Sequence, residues 1–406
     1  MSVPKACKID LNDYLEIKEL DKQRTYSGYK RSKVLQSFER DLHKKKPIES
    51  VYWMTELILS GAYKTLIDKC IIFFMKNINI SNPNLPTYIL NEMRFLNRIT
   101  NICKGDAFAI ADIQTFRNHI CEFVTILALS DKQRIENRVR CKDNVFNIDI
   151  LKDKMEARGR ELKGIWKGND DETAYIPFNE FKYHISKTYN REKAVFWVSW
   201  ILELYKRSNR NKKPITFAER CSNVGKRHGK YFVWLLWEII LRETDRRDDE
   251  RLTEQINSIY ELYKFNFAKR HVTSRISYIL CCIVYLTQTV PAIRFTKNIC
   301  NNYDVLTLMN IQINVLFKGL CNNYNESQRK IKKREFYKKS FPKIICETDN
   351  NIVRDRLPKT KPIIRKRLEQ PVQKPIQQPM PDIMDMKYFS QVDKIANFQY
   401  RRSLNV

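Results

Sequence analysis

The chain has 406 residues, of which 43% are hydrophobic and 12% aromatic, enough to bury a sizeable core in two or three domains. Its 74 basic and 46 acidic residues give a formal net charge of +28, which predicts an anionic partner and argues against a free-standing enzyme for small molecules. Nine glycines are too few for glycine-rich phosphate loops and β-turn networks, so the composition favours an all-α protein.

The first predicted helical domain covers residues 31–150 and follows a polar, irregular segment at 1–30. Within 50–61, apolar side chains recur every three or four residues, as on the buried face of a helix. Gly61 suits the end of that helix because glycine adopts left-handed backbone angles without strain. A second apolar helix is predicted at 63–78, so the two should form an antiparallel hairpin.

Two prolines, Pro83 and Pro86, end the second helix and allow a new one. Further helices are predicted at 87–104 and 112–129. Residues 151–190 are more polar and less periodic, and we interpret them as a connector with short helices.

The second predicted helical domain covers 191–328. Five of its segments have the length and periodicity of helices. These predicted helices are at 193–207, 231–243, 251–270, 274–286 and 303–320. The acidic run at 248–250 resembles the carboxylate clusters of two-metal sites. Because arginines flank it, we interpret it instead as a solvated helix start with a favourable dipole.

The last part of the chain changes character. Residues 329–406 hold seven of the fourteen prolines, with 20 basic and eight acidic residues. Residues 329–381 are predicted to be a basic, proline-rich and largely disordered linker, because they cannot form a core. Residues 382–406 regain aromatic and aliphatic side chains, which is typical of a segment that docks on a protein partner. The alternative is a helix that folds back on the chain's own core. The predicted partner-binding residues are Ile383, Met386, Tyr388, Phe389 and Phe398.

Cysteines and apolar runs indicate a soluble protein of a reducing compartment, with no metal and no membrane insertion. The eleven cysteines form no C-x-x-C pair and mostly sit in apolar runs, so we expect buried free thiols. The longest apolar run, 276–290, is shorter than the roughly 18–20 residues that cross a bilayer. The N-terminus lacks the apolar segment of a signal peptide.

Catalytic motifs are missing from the sequence. The nearest string to a phosphate-binding P-loop, at 222–232, lacks the Ser or Thr after Gly-Lys and has no predicted strand before it. The signatures of common serine hydrolases, zincins and zinc deaminases do not occur. We therefore predict a non-enzymatic protein without a cofactor.

A basic segment at 205–231 is the main candidate binding site. Between Lys206 and Lys230 it holds nine Lys or Arg residues, and Glu219 is its only acid. Lysine and the forked arginine side chain bind phosphate oxygens well, so the segment predicts a non-specific nucleic-acid face. The alternative is a solvated loop. The predicted nucleic-acid-binding residues are Lys206, Arg207, Arg210, Lys212, Lys213, Lys226, Arg227 and Lys230, with Lys332, Lys333 and Arg334 in the tail.

Residues from about 35 to 90 resemble the C-terminal helical oligomerisation region of replication-restart AAA+ ATPases of the MgsA/RarA type. The shared features are a basic patch, the Val51-Tyr52-Trp53 helix, the Ser60-Gly61 turn, a long apolar helix and the Asn82-Pro83 break. The ATPase module is absent here, so the resemblance implies no motor activity. The resemblance also implies that the chain could form a homo-oligomer through its helical hairpins.

The chain up to about Leu286 is also similar to an uncharacterised helical family of nucleocytoplasmic large DNA viruses. The similarity rests on the Tyr-Trp helix with its Ser-Gly turn, the helix at 116–130 and the pair of tryptophan-bearing helices. Heavy use of Lys, Asn and Ile fits coding by an AT-rich genome. The resemblance implies a viral setting, namely a factory in the host cytoplasm and also the virion.

The sequence thus predicts two helical-bundle domains of packed hairpins with a basic tail. The predicted function is that of a viral nucleic-acid-associated accessory factor in replication, late transcription or genome packaging. It would bind DNA or RNA backbone non-specifically and a viral protein through its C-terminal segment. The alternative is a structural or minor virion protein that contacts capsid subunits.

Overall fold

The computed structural model describes residues 24–135, 146, 151–225, 228–288 and 298–320. Over these ranges the protein is all-α, as predicted, and contains no β-strand. None of the helices in the described ranges is both long enough and apolar enough to cross a bilayer. The predicted linker at 329–381 and docking segment at 382–406 lie outside the described residues.

The helices of the first half are α1 (Arg31–His43), α2 (Pro47–Leu59), α3 (Tyr63–Asn77), α4 (Leu85–Ile102), α5 (Ala107–Asp112) and α6 (Gln114–Leu129). Those of the second half are α7 (Tyr175–Ser186), α8 (Arg191–Arg210), α9 (Val233–Arg246), α10 (Glu250–Lys264), α11 (His271–Ser274), α12 (Ile276–Thr287) and a last helix, α13, at 303–320.

Helix α2 is buried on nearly every side because it packs against α1, α3, α5 and α6. Its end confirms the predicted role of Gly61, which has a φ of 68°. The next residue, Ala62, donates its backbone N–H to the carbonyl of Leu57 at 2.9 Å, which closes the helix. This turn leads directly into α3, which packs on α2.

Helix α12 is the central element of the second half. Every residue from Ile276 to Leu286 is buried, and the helix contacts α3, α7, α8, α9 and α10. Its Cys281 and Cys282 thiols are fully buried, and this burial raises their pKa above the ordinary value. The predicted buried free thiols are confirmed at these positions.

The two halves of the helical body contact each other chiefly through α4 and α10. The backbone N–H of Thr87 donates to the Gln255 side chain at 3.2 Å, and the Thr87 and Ser258 hydroxyls lie 3.1 Å apart. The described residues from 24 to 317 belong to one compact unit. The division into domains at 31–150 and 191–328 stays a prediction.

The predicted connector at 151–190 contains α7, which packs along α8. Asn190 ends the short turn between them, and its side-chain oxygen accepts a hydrogen bond from the Lys193 N–H at 3.0 Å. Asn190 is therefore the N-cap of α8, the helix whose far end carries several predicted binding residues.

Replacing this cap should destabilise the fold. Asn190→Ala is expected to lower the free energy of unfolding by about 1 kcal/mol, because one N–H at the start of α8 loses its acceptor. Asn190→Asp, which retains an acceptor oxygen, is the matched control and should stay close to the parent. Urea denaturation followed by circular dichroism measures both, and equal stability of the two variants would contradict the capping role.

Candidate nucleic-acid interface

An open groove lies between the end of α8 and the turn that leads into α11. Its volume is about 930 Å³, and we refer to it as the basic groove. Eight residues line it, in two stretches of the chain: Glu203, Tyr205, Lys206, Asn209 and Arg210 from α8, and Lys269, Arg270 and Thr273 from the second stretch. Sixty residues or so of chain separate the two stretches, so only folding brings them together.

Four cationic side chains and one carboxylate line the basic groove. The carboxylate, Glu203, lies 2.8 Å from the Arg210 guanidinium and 3.5 Å from the Lys206 ammonium. On the opposite wall, Lys269 and Arg270 are exposed to solvent. Because a single carboxylate faces four cations, the groove carries an excess of positive charge that attracts anions.

Aromatic rings connect the two walls. The ring of Tyr205 lies 4.9 Å from that of Phe232 and 6.4 Å from that of Tyr231. Tyr231 in turn lies 6.5 Å from Phe267, whose ring is 6.0 Å from that of His271. These separations are within the range of packed aromatic pairs, so the chain of rings holds both walls in position.

The C-terminus of α8 explains the direction in which its basic residues point. Lys212 has a φ of 57°, and the Lys213 N–H donates to the Ser208 carbonyl at 2.9 Å. This left-handed turn stops the helix and leaves both lysines exposed. Arg210 lies in the last helical turn, where a cation also interacts favourably with the helix dipole.

A buried ion pair anchors the segment that follows. The Arg220 side chain is 3% exposed and donates from Nη1 and Nη2 to the two carboxylate oxygens of Asp170, which is fully buried. Its Nε also donates to Glu238 of α9 at 2.7 Å. This bidentate pair fixes the chain between α8 and α9 against the rest of the body.

The Asp170 carboxylate also accepts hydrogen bonds from the backbone. The N–H groups of Lys167 and Ala218 donate to its carboxylate at 2.8 and 2.9 Å. Burial disfavours the charged carboxylate, but the hydrogen bonds from Arg220 and from these two N–H groups lower the pKa of Asp170 below its ordinary value. The carboxylate is therefore ionised at neutral pH, as a bidentate arginine partner requires.

The predicted binding residues fall in several environments. Lys206 and Arg210 line the basic groove. The Arg207 guanidinium lies 3.8 Å from the ring centre of Phe146, outside the lining of the groove. Lys212, Lys213 and Lys230 are exposed but do not line it. The others lie outside the described residues: Lys226, Arg227, Lys332, Lys333, Arg334, Ile383, Met386, Tyr388, Phe389 and Phe398.

Two groove cations, Lys269 and Arg270, were not predicted. The sequence places them at the end of a helix predicted to run through 251–270, and this end is wrong, because α10 stops at Lys264. Arg275 accounts for the stop, since it donates to the carbonyls of Tyr263 and Phe265 at 2.7 Å each. Both cations are exposed on the turn that follows α10. Near them, the sequence indicates this turn only by the Ala-Lys-Arg-His string at 268–271.

The acidic run at 248–250 is a helix start, as interpreted from the sequence. The Asp249 side chain accepts a hydrogen bond from the Leu252 N–H at 3.0 Å and is the N-cap of α10. Among the residues that the structure describes, no group of three or more His, Cys, Asp or Glu side chains is placed to hold a metal ion.

Comparisons with known proteins find no matching family model, no matching curated protein and no matching solved structure.

The Arg220–Asp170 pair should show strong energetic coupling. Asp170→Asn and Arg220→Met are each expected to cost about 3–5 kcal/mol of unfolding free energy. Asp170→Asn leaves the buried guanidinium with Glu238 as its remaining ionic partner, and Arg220→Met leaves the buried Asp170 carboxylate without its cation. The double variant should cost at least about 1 kcal/mol less than the sum of the two. Urea denaturation measures all four proteins, and strictly additive losses would show that the pair does not anchor the segment.

Proposed function

We propose that the protein binds the phosphate backbone of DNA or RNA without sequence preference and that the basic groove is its contact on the helical body. The observation that carries the proposal is the meeting of Lys206 and Arg210 with Lys269 and Arg270 around one groove. Cations that neutralise phosphates release condensed counterions, which is the main source of non-specific affinity.

The character of the groove favours backbone contacts over base recognition. Base recognition in a duplex requires a structural element that enters a groove of the nucleic acid and places hydrogen-bond donors and acceptors opposite the base edges. Here the charged groups are lysines and arginines on the rim of an open surface, of which Lys269 and Arg270 are exposed. Such groups position phosphates and carry no sequence information.

The biological setting in this proposal comes from the resemblance to the helical family of large DNA viruses. We propose that the protein acts in the viral factory of the host cytoplasm, as a non-enzymatic accessory factor in replication, late transcription or genome packaging. The net charge of +28 supports an anionic partner of this kind. The tail would add phosphate contacts and bind a viral protein.

Charge reversal in the basic groove should weaken binding. Lys269→Glu with Arg270→Glu is expected to lower the affinity for a labelled duplex and to reduce the slope of log K against log salt by about 1.8, because two phosphate contacts are lost. Fluorescence anisotropy at several salt concentrations gives both quantities for the full-length chain.

The matched control is Lys64→Glu with Lys163→Glu, two exposed lysines outside the groove lining. This control changes the net charge by the same amount as the groove variant. If only the overall charge matters, both double variants should lose the same affinity for the duplex. That result would contradict the groove as the binding site. Absence of binding by the parent near physiological salt would contradict the proposal as a whole and favour the structural virion role.

Glu203 should act as an internal competitor for phosphate. Its carboxylate already contacts Lys206 and Arg210, so a bound phosphate must displace it. Glu203→Gln is therefore expected to raise the affinity for the same duplex about threefold, because the binding phosphate no longer has to break a partly exposed ion pair and such a pair contributes a free energy of about that size. Glu172→Gln, at an exposed carboxylate outside the groove lining, is the control. A decrease in affinity for Glu203→Gln alone would mean that Glu203 holds the cations in their binding positions.

A further inference from the structure

The basic groove contains an aromatic ring among its cations. Tyr205 lines the groove beside Lys206 and is partly exposed. One side of the residue packs on Phe232 at 4.9 Å between ring centres, and Tyr231 lies 6.4 Å away. The ring is thus held by neighbours from the segment before α9, in a residue that lines the groove.

The polar groups around this ring suit a nucleotide better than a simple anion. Asn209 and Thr273 line the same groove. The Asn209 amide donates to the Tyr205 carbonyl at 2.8 Å and the Thr273 hydroxyl to the Arg270 carbonyl at 3.3 Å, which leaves the hydroxyl lone pairs for a ligand. Burial raises the pKa of Tyr205 above its ordinary value. A hydrogen bond from the Asn209 side chain lowers this pKa and the nearby Tyr231 raises it, but burial is the largest effect. The phenol is therefore neutral at physiological pH and does not repel a phosphate or the π-face of a base.

A duplex and a single strand would use such a groove differently. The bases of a duplex are stacked inside the helix, so a duplex offers only its phosphates to the cations that line the groove. A single strand can turn a base out of its backbone and place it on an aromatic ring while the flanking phosphates meet the cations. The volume of about 930 Å³ is in the size range of small-molecule pockets and accommodates a few nucleotides.

We propose that the basic groove binds single-stranded nucleic acid, with one base stacked on the ring of Tyr205 and the adjoining phosphates held by Lys206, Arg210, Lys269 and Arg270. This inference rests on the proposed function, because it specifies the nucleic acid that the same groove binds. It makes the protein a single-strand binder whose base contact tolerates any sequence.

The first test compares three labelled ligands on the full-length protein. These are an oligothymidylate of about 16 nucleotides, a length at the upper end of single-strand site sizes, an abasic oligonucleotide with the same number of phosphates, and a duplex of the same length. Fluorescence anisotropy at one salt concentration should rank the oligothymidylate about tenfold above the abasic strand, since one stacked base is worth about that factor.

The second test changes the ring. Tyr205→Leu keeps apolar packing against Phe232 but removes the stacking surface, so it should lose about tenfold in affinity for the oligothymidylate and almost nothing for the abasic strand. Tyr205→Phe should bind both strands as the parent does. Tyr303→Leu, at an exposed ring outside the groove lining, is the matched control and should change neither affinity.

The outcomes separate this inference from the proposed function. If no ligand binds, both are overturned. If oligothymidylate, abasic strand and duplex bind equally and Tyr205→Leu changes nothing, the groove remains a phosphate site and the stacking inference alone is overturned. If Tyr205→Leu weakens binding of all three ligands by the same factor, the ring only supports the groove, which also overturns the inference. A thermal midpoint for each variant shows whether it is folded.

Discussion

The aromatic contacts beneath the basic groove are the constraint on which its geometry depends. The rings of Tyr205, Tyr231, Phe267 and His271 follow one another at centroid distances of 6.0–6.5 Å and cross from one wall to the other. Backbone hydrogen bonds do not join these walls, because they belong to different helices and turns. The ring contacts therefore help to hold the cations of the two walls together, along with the packing of α12 against α8 and α10, which couples the helical core to the charged surface. The bidentate pair of Arg220 with Asp170 adds a second restraint, since it fixes the segment that supplies Tyr231.

Periodicity in the sequence predicted most of the fold, because buried helical faces leave a clear pattern. The all-α class, the Gly61 turn and the burial of the helix around Cys281 follow from spacing, glycine conformation and apolar runs. The end of α10 could not be predicted, since it depends on Arg275, which lies between α11 and α12 and donates to the carbonyls of Tyr263 and Phe265. Similarly, the polar stretch before Asn190 gave little sign that α7 would pack along α8.

The candidate site was predicted only in part. Charge density in one stretch pointed to Lys206 and Arg210, and both line the basic groove. Charge density alone cannot distinguish them from Arg207, which follows Lys206 directly on the same helix but lies over Phe146. The opposite wall, with Lys269 and Arg270, required knowledge of which distant turn packs beside α8. Local sequence holds no such information, because the contact arises from tertiary packing.

The helical body itself is expected to bind phosphate, independently of the basic tail. The most direct test is the salt dependence of duplex binding by the full-length chain and by a chain that ends at residue 328. The account predicts a slope of log K against log salt that corresponds to several phosphates, at about 0.9 per phosphate, and that largely survives the truncation. A slope that disappears with the tail would contradict the account, because the phosphate contacts would then belong to the tail and the helical body would serve only to bind proteins.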